Sequence, residues 1–373
     1  MAVRAQARGT GCENLNRTNR SHPDGPATAL IIAGGRGTRF WPESRSGRPK
    51  PLFSIDGKSS LLADTIARTQ PLIPRELVFV LVSADQTAPF RRALGRLIPS
   101  ANLIIEPEGR GTAVAIAYGT GIISRRLGQR FVVAVMPADH YMRPAAGFRR
   151  TLIKAIALAR RAQRLVVIGV TPTRPESGYG YQEIGAVAGS GFKVERFVEK
   201  PSSKLAARMV KSGRFLWNAG IFVMRADSLA AALRAHAPVL ADAMTGLPRL
   251  RGATLARAYR KLRFDSFDRV VVEKSADVMG VKASFDWHDV GSWEGLWEAL
   301  RGRSPNVLHG NVVTLDSERV LARGGKRLLV LLGVNDLVAV DTDDAILIAH
   351  RSHSQDVRKV IEQLRHAGLA RYL

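Results

Sequence analysis

From Thr28 onward, short apolar runs alternate with longer amphipathic stretches. The runs TALIIAG (28–34), LVFVLVS (77–83), NLIIE (102–106), FVVAVMPAD (131–139) and RLVVIGV (164–170) predict strands buried on both faces. The stretches between them, 60–69, 87–96, 112–126 and 146–161, predict helices. Such alternation implies an α/β fold: a Rossmann-like, mixed but mostly parallel sheet covered on both faces. Right-handed crossovers then gather the carboxyl ends of the strands at one edge, where ligands bind.

The texture changes after residue 180. KVERFVEKP (193–201) and FLWNAGIFVMRA (215–226) predict strands, 227–263 predicts helices, and a short strand at 278–282 precedes a helix from about Gly291. From Pro305 four short alternating runs follow, NVVTLDS, RLLVLLG, DLVAVDT and AILIAH, and then a closing helix over 354–367. The pattern divides the chain into a tail (1–26), a large α/β domain (27–304) and a small β-rich domain (305–373). The tail is polar, without hydrophobic periodicity and without the apolar core of a secretory signal, and reads as disordered.

Composition narrows the function classes. At 373 residues with 46% hydrophobic positions, the chain can bury a large core. No apolar run approaches the ~18 residues that span a bilayer, so no membrane partner is expected, and the location reads as cytoplasmic. The single cysteine, Cys12, allows neither an intrachain disulfide nor a cysteine-built zinc site. The net charge of +24 comes from 44 Arg and 12 Lys set against 32 acidic residues, and favours anionic partners. The arginines are spread evenly rather than gathered in a stripe or tail. With no zinc-finger spacing and no RNA-binding aromatic motif, nucleic acid is not the expected anion.

The most informative stretch follows the first strand: Ala33, Gly34, Gly35, Arg36, Gly37, Thr38, Arg39, and then Lys50 within Arg48-Pro49-Lys50-Pro51. A Gly-rich turn after a strand lets backbone N–H groups approach phosphate oxygens. It is not a Walker loop, and Phe40 stands where a dinucleotide fingerprint needs its third glycine. Such a turn alone also fits a plain tight connection. Two cations beside it suit a triphosphate, whose charge needs neutralising in transfer. Asp139 ends a predicted strand. Asp289 precedes a glycine and a predicted helix, where it would serve equally as a helix N-cap. Brought together with phosphates, the two carboxylates suit Mg²⁺; His140 beside them reads as a structural neighbour. Glu199 and Lys200 alternate on a strand and face one ligand only if the strand bends. Trp41, Trp217, Trp287 and Trp293 read as packing.

The run AGGRGTRFWPESRSGRPKP resembles the signature of sugar-1-phosphate nucleotidylyltransferases, and more narrowly of mannose-1-phosphate guanylyltransferases. Further elements of that family appear in order: EPEGRGT (106–112), MPADH (136–140), PTRPESGYGY (172–181), FVEKP (197–201), WNAG (217–220), DWHDVGSW (286–293), GVNDL (333–337) and SQDV (354–357). The likeness spans roughly residues 28–366. It implies GMP transfer from GTP to mannose 1-phosphate, with Mg²⁺ on Asp139 and Asp289. Arg39, Lys50, Asp139 and Asp289 would be catalytic. Ala33, Gly34, Gly35, Gly37, Thr38, Arg39, Lys50, Glu106, Arg110, Thr112 and Asp139 would hold the nucleotide. Gly178, Tyr179, Gly180, Glu199, Lys200 and Asn218 would hold the sugar phosphate. The small domain would contain a left-handed β-helix-like turn, and a homodimer is compatible with the family. Two positions depart from its pattern. Gly111 replaces an Asn and Pro51 a Gln, so each lacks a side-chain amide for the nucleotide. Another sugar 1-phosphate or base, and a homologue that binds nucleotide sugar without turnover, stay open as readings.

Overall fold

The computed structural model describes residues 22–35 and 37–373; Arg36, Cys12 and residues 1–21 of the expected tail lie outside them. Residues 22–26, which the sequence placed in the tail, make defined contacts. Asp24 pairs with Arg225 at 3.3 Å, Gly25 O accepts from Arg160 Nη2 at 2.9 Å, and Pro26 O accepts from Val132 N at 3.0 Å. Residues 22–26 are therefore packed, which corrects their assignment to a disordered tail.

Among the described residues, the part before residue 305 carries eleven strands: β1 (Ala27–Ile32), β2 (Val78–Ser83), β3 (Leu103–Glu106), β4 (Val132–Pro137), β5 (Tyr141–Arg143), β6 (Leu165–Val170), β7 (Gly180–Ala188), β8 (Gly191–Glu199), β9 (Phe215–Arg225), β10 (Val278–Lys282) and β11 (Asp286–His288). Nine of them form one sheet in the order β3-β2-β1-β4-β9-β6-β10-β8-β7, while β5 and β11 form a separate ribbon. β1, β2, β3 and β4 pair in parallel, as do β6 and β10. β9 enters antiparallel between β4 and β6, and β7 and β8 are antiparallel. The sheet is thus mixed, with its parallel pairing concentrated on the first half of the chain.

Strand alternation splits the apolar runs between two cores. Ala29 and Ile31 of β1 face one cluster, and Leu30 faces the other. The helices are α1 (Leu61–Thr69), α2 (Thr87–Leu94), α3 (Thr112–Leu127), α4 (Ala145–Ala162), α5 (Ser203–Ser212), α6 (Ala226–His236), α7 (Pro238–Gly246), α8 (Gly252–Arg260), α9 (Trp293–Leu300) and α10 (Val357–His366). α4 covers the first face with Phe148, Leu152 and Ile156. α3, α6 and α7 cover the second. Each fully buried side chain of this kind contributes about 1.5–3 kcal/mol. Among the described residues no helix is long and apolar enough to cross a membrane.

The C-terminal part is a stack of short strands: β12 (Val307–His309), β13 (Val312–Leu315), β14 (Leu321–Arg323), β15 (Leu329–Leu332), β16 (Leu337–Asp341) and β17 (Ile346–His350). β12, β14 and β16 pair in parallel, as do β13 and β15, and β17 closes antiparallel. A third apolar cluster joins Phe40, Trp41 and Phe53 to Trp293, Val338 and Ile361. Polar bonds fix the same junction. Buried Arg323 donates to Ile55 O at 2.8 Å and Ser54 O at 2.9 Å, and Trp41 Nε1 donates to Tyr372 O at 2.8 Å. The C-terminal part thereby holds the segment after the Gly-rich turn in place.

Candidate active site

β1 delivers the Gly-rich turn to the carboxyl edge of the sheet. Ala33 N donates to Leu81 O at 2.9 Å, and the chain then turns through Gly37 at φ 63°. A Cβ on Gly37 would lie 2.1 Å from Lys50 Cβ, so only glycine lets the turn close over this lysine. Thr38 and Arg39 follow in a short 3₁₀ turn. Lys50 itself is 6% exposed. Its Nζ donates to Asp139 Oδ2 at 2.7 Å and to the Asp289 carbonyl at 3.0 Å. One ammonium thus joins the end of β4 to the end of β11. Burial alone would raise the Asp139 carboxyl, but Lys50 and His140 hold it below the ordinary carboxylate value.

Asp289 does not cap the following helix. Ser292 does so, accepting from Gly295 N at 3.3 Å. Asp289 Oδ1 instead accepts from Tyr179 Oη at 2.9 Å and Gly291 N at 3.2 Å. Burial, with Asp289 beside it, pushes the Tyr179 phenol up, so it stays a donor. Arg39 Nη1 donates to Gly291 O at 2.9 Å, which brings its guanidinium to the same loop. His140 is half-buried, desolvation lowers its pKa, and its Nδ1 accepts from Trp287 Nε1 at 3.1 Å. It supports the floor of the site, as its sequence position implied.

An open cavity of about 620 Å³ lies over these groups, with Arg39, Tyr179, Lys200, Asp289 and Gln355 on its walls. Ser352, Ser354 and Gln355 reach it from beyond β17, so the C-terminal part also walls the site. Each carboxylate keeps an oxygen for a cation. Asp289 Oδ2 carries no hydrogen bond among the described residues, and Asp139 has one oxygen beyond its bond to Lys50. Among the described residues no group of three or more His, Cys, Asp or Glu is placed to hold a metal. Two carboxylates completed by phosphate oxygens is the donor set that Mg²⁺ favours.

On one side of this centre, β7 and β8 place Gly180 opposite Glu199. β8 ends at Glu199, and Lys200 takes φ 50°, which supplies the bend the alternation required. Lys200 Nζ lies 3.5 Å from Glu199 Oε1. Asn218 is 7% exposed on β9. Gly178 N donates to Glu176 Oε1 at 3.1 Å, keeping the loop before β7 closed. Burial pushes the Glu199 carboxyl up to about 7, Asp268 adding to the rise and Lys200 opposing it. A carboxyl that resists ionisation when folded makes the native state bind more protons between about 4.5 and 7. Stability therefore falls as pH rises through that window. Glu199→Gln lacks this loss. Its melting temperature relative to wild type is expected to rise from about pH 5 to about pH 8, and thermal unfolding at both values checks it. A difference that does not change with pH contradicts it.

On the other side lie the residues expected to meet the nucleotide. A Cβ on Gly34 would sit 3.6 Å from Glu106 Oε1, so the turn and the end of β3 face each other. Glu106 Oε2 accepts a short bond from Tyr259 Oη. Burial raises the Glu106 carboxyl to about 7, against the Tyr259 hydrogen bond. Gly35 has open space around it. Arg110 and Thr112 are not brought to Lys50. Arg110 pairs with Glu108 at 2.8 Å, and Thr112 Oγ1 accepts from Phe267 N at 2.9 Å.

Gly111 sits at φ 91°, ψ 157°, and a Cβ there would lie 2.6 Å from Phe264 O. That space is occupied by backbone, so the departure from the family's Asn is built into this chain. Gly111→Asn is expected to lower stability by ~1–3 kcal/mol, from strain at a glycine-only conformation, and to leave the KM for nucleotide no better. Thermal unfolding and nucleotide titration check this; an unchanged melting temperature with tighter nucleotide binding contradicts it. Pro51 lies buried in the 3₁₀ turn beside Lys50, shaping the backbone there.

Sequence reasoning missed three supporting residues: Tyr259 on Glu106, Asp268 on Asn218 and Glu273 on the backbone of Glu199. Asp268 and Glu273 flank a π-helical turn, Asp268–Val272. The two acids bracketing the apolar run VVV in SFDRVVVEK were the available signal. The four tryptophans expected to pack do so, each at 7% exposure or less.

Residues 28–304 match the family model described as nucleotidyl transferase, and residues 310–364 match a mannose phosphate isomerase/GMP-like β-helix domain. The chain is 37% identical to the xanthan biosynthesis protein XanB of Xanthomonas campestris, over 91% of this chain and 73% of that protein. It is 35% identical to a mannose-1-phosphate guanylyltransferase of Escherichia coli, again over 91% and 73%. A solved Thermus thermophilus structure described as a mannose-1-phosphate geranyltransferase matches with a TM-score of 0.83 at 34% identity, over 91% of this chain and 99% of that one.

Proposed function

The chain belongs to the nucleotidyl transferase family, and on that footing we propose that it transfers GMP from GTP to mannose 1-phosphate, giving GDP-mannose and pyrophosphate. The observation that carries this reading is the Lys50 ammonium joining Asp139 to Asp289 beneath a glycine turn, with Asp289 and Arg39 on the wall of an open cavity of about 620 Å³. A sugar-phosphate oxygen forms the new bond to the α-phosphorus of GTP as the bond to the β-phosphate breaks. The attacking oxygen is already anionic near neutral pH, so no strong base is required. What the chain must supply is alignment and neutralisation of charge.

Lys50 and Arg39 provide the fixed positive charge against the α-phosphoryl group and the departing pyrophosphate. Mg²⁺, held by Asp139 and Asp289, would supply further charge neutralisation across the phosphates. Tyr179 orients Asp289 by donating to Oδ1. Lys200 holds the attacking phosphate, and Glu199 and Asn218 accept sugar hydroxyls. At the other end, Glu106 presents a carboxyl oxygen suited to the N–H donors of guanine.

Phosphorus NMR of the protein with GTP, mannose 1-phosphate and Mg²⁺ tests the reaction class. The expected products are a nucleotide-sugar diphosphate and pyrophosphate in equal amounts. GDP and free phosphate instead would overturn nucleotidyl transfer.

A further inference from the structure

Asp268 lies half-buried beside the sugar-side residues and has no part in the chemistry above. Its Oδ1 accepts from Asn218 Nδ2 at 2.7 Å. The other end of the same amide is also engaged, because Asn218 Oδ1 accepts from Gly220 N at 3.2 Å. A carboxylate can only accept and a backbone N–H can only donate. The two partners therefore fix which end of the amide is nitrogen and which is oxygen. An amide offers two N–H donors and two lone pairs. One of each is engaged, and one of each remains for a ligand.

The turn that carries Asp268 touches the site at three further points. Glu273, at its end, accepts from the backbone N–H of Glu199 at 3.2 Å. Phe267 N, just before it, donates to Thr112 Oγ1 at 2.9 Å. Gly111 packs on Phe264 O, where a Cβ would lie only 2.6 Å away. Residues 264–273 thus span from the start of α3 to both sugar-side residues, and π-helical turns of this kind are frequent where a side chain is held for function.

We propose that Asp268 is a positioning residue for sugar recognition: it orients the Asn218 amide so that one N–H and one lone pair meet adjacent hydroxyls of the sugar phosphate. The assignment rests on the nucleotidyl-transfer reading. Asp268 does not touch the nucleotide side, so its loss acts on one substrate only.

The test measures pyrophosphate release by the full chain, with the KM for each substrate determined separately. Asp268→Ala is expected to raise the KM for mannose 1-phosphate about 10-fold or more and to leave the KM for GTP within about 2-fold. Asp268→Asn is expected to recover most of the loss, because its amide oxygen still accepts from Asn218. The double variant Asp268→Ala with Asn218→Ala is expected to match Asn218→Ala alone, as it must if Asp268 acts through that amide. Equal rises in both KM values, failure of the Asn variant to recover, or additive effects in the double variant would each overturn the assignment. Should Asp268→Ala not fold, Asp268→Ser, too short to reach Asn218, takes its place in the same comparison. Wild-type protein inert with every sugar 1-phosphate would instead overturn the transferase reading itself.

Discussion

Lys50→Ala is expected to lower kcat about 10²-fold or more, the scale seen when one charge-stabilising donor is removed from a transition state. The geometry explains why one side chain carries so much. Lys50 is the group common to both metal-side carboxylate residues, through Asp139 Oδ2 and the Asp289 carbonyl. It is packed beneath Gly37 and over the Phe40 ring. On the proposed reaction its loss removes positive charge beside the α-phosphoryl group, and it leaves the half-buried Asp139 carboxylate without its ammonium partner. Lys50→Met keeps the volume and separates lost charge from lost packing. Both variants should lose kcat alike while keeping a melting temperature high enough for assay. A near wild-type kcat in either would remove Lys50 from the reaction.

Asp139→Asn should be at least as damaging, with turnover falling about 10³-fold or more and not recovering as Mg²⁺ is raised. Lys50 holds the half-buried carboxylate ionised, so the native protein keeps a negative charge at the end of β4. Asparagine preserves the shape and an oxygen but removes the charge. Binding of Mn²⁺ in the presence of GTP, read by paramagnetic resonance, should weaken in parallel. A variant that retains full activity with Mg²⁺ would take Asp139 out of the site.

Much of this centre was legible because its chemistry lies in contiguous motifs. The glycine turn and Asp139 each follow a strand whose apolar pattern was clear, and the fold gathers such ends at one edge, whereas Lys50 and Asp289 were legible from their motifs alone. The bend at Lys200 was also foreseeable, since Glu199 and its neighbour could share a ligand only if the strand broke there. β5 and β11 were not foreseen, because three residues carry too little periodicity. β7 was missed too; its small, partly exposed residues, GYQEIGAVA, pair with β8 along a ladder with two irregularities.

Asp268 escaped for a different reason. It acts across the fold on Asn218, fifty positions away in sequence, from a π-helical turn with no hydrophobic period of its own. Ser352, Ser354 and Gln355 reach the cavity wall through docking of the C-terminal part, to which Arg323, Trp41 and the Arg351–Glu294 pair contribute. Gly111 shows a limit of reading by motif. A position that looked like a missing nucleotide contact is one where backbone fills the space a side chain would need.

The most direct test is pyrophosphate release by the purified chain with Mg²⁺, crossing the four common nucleoside triphosphates with mannose 1-phosphate and glucose 1-phosphate. Release should be strongest for GTP with mannose 1-phosphate. No release from any pair, by folded protein that still binds GTP, would contradict it.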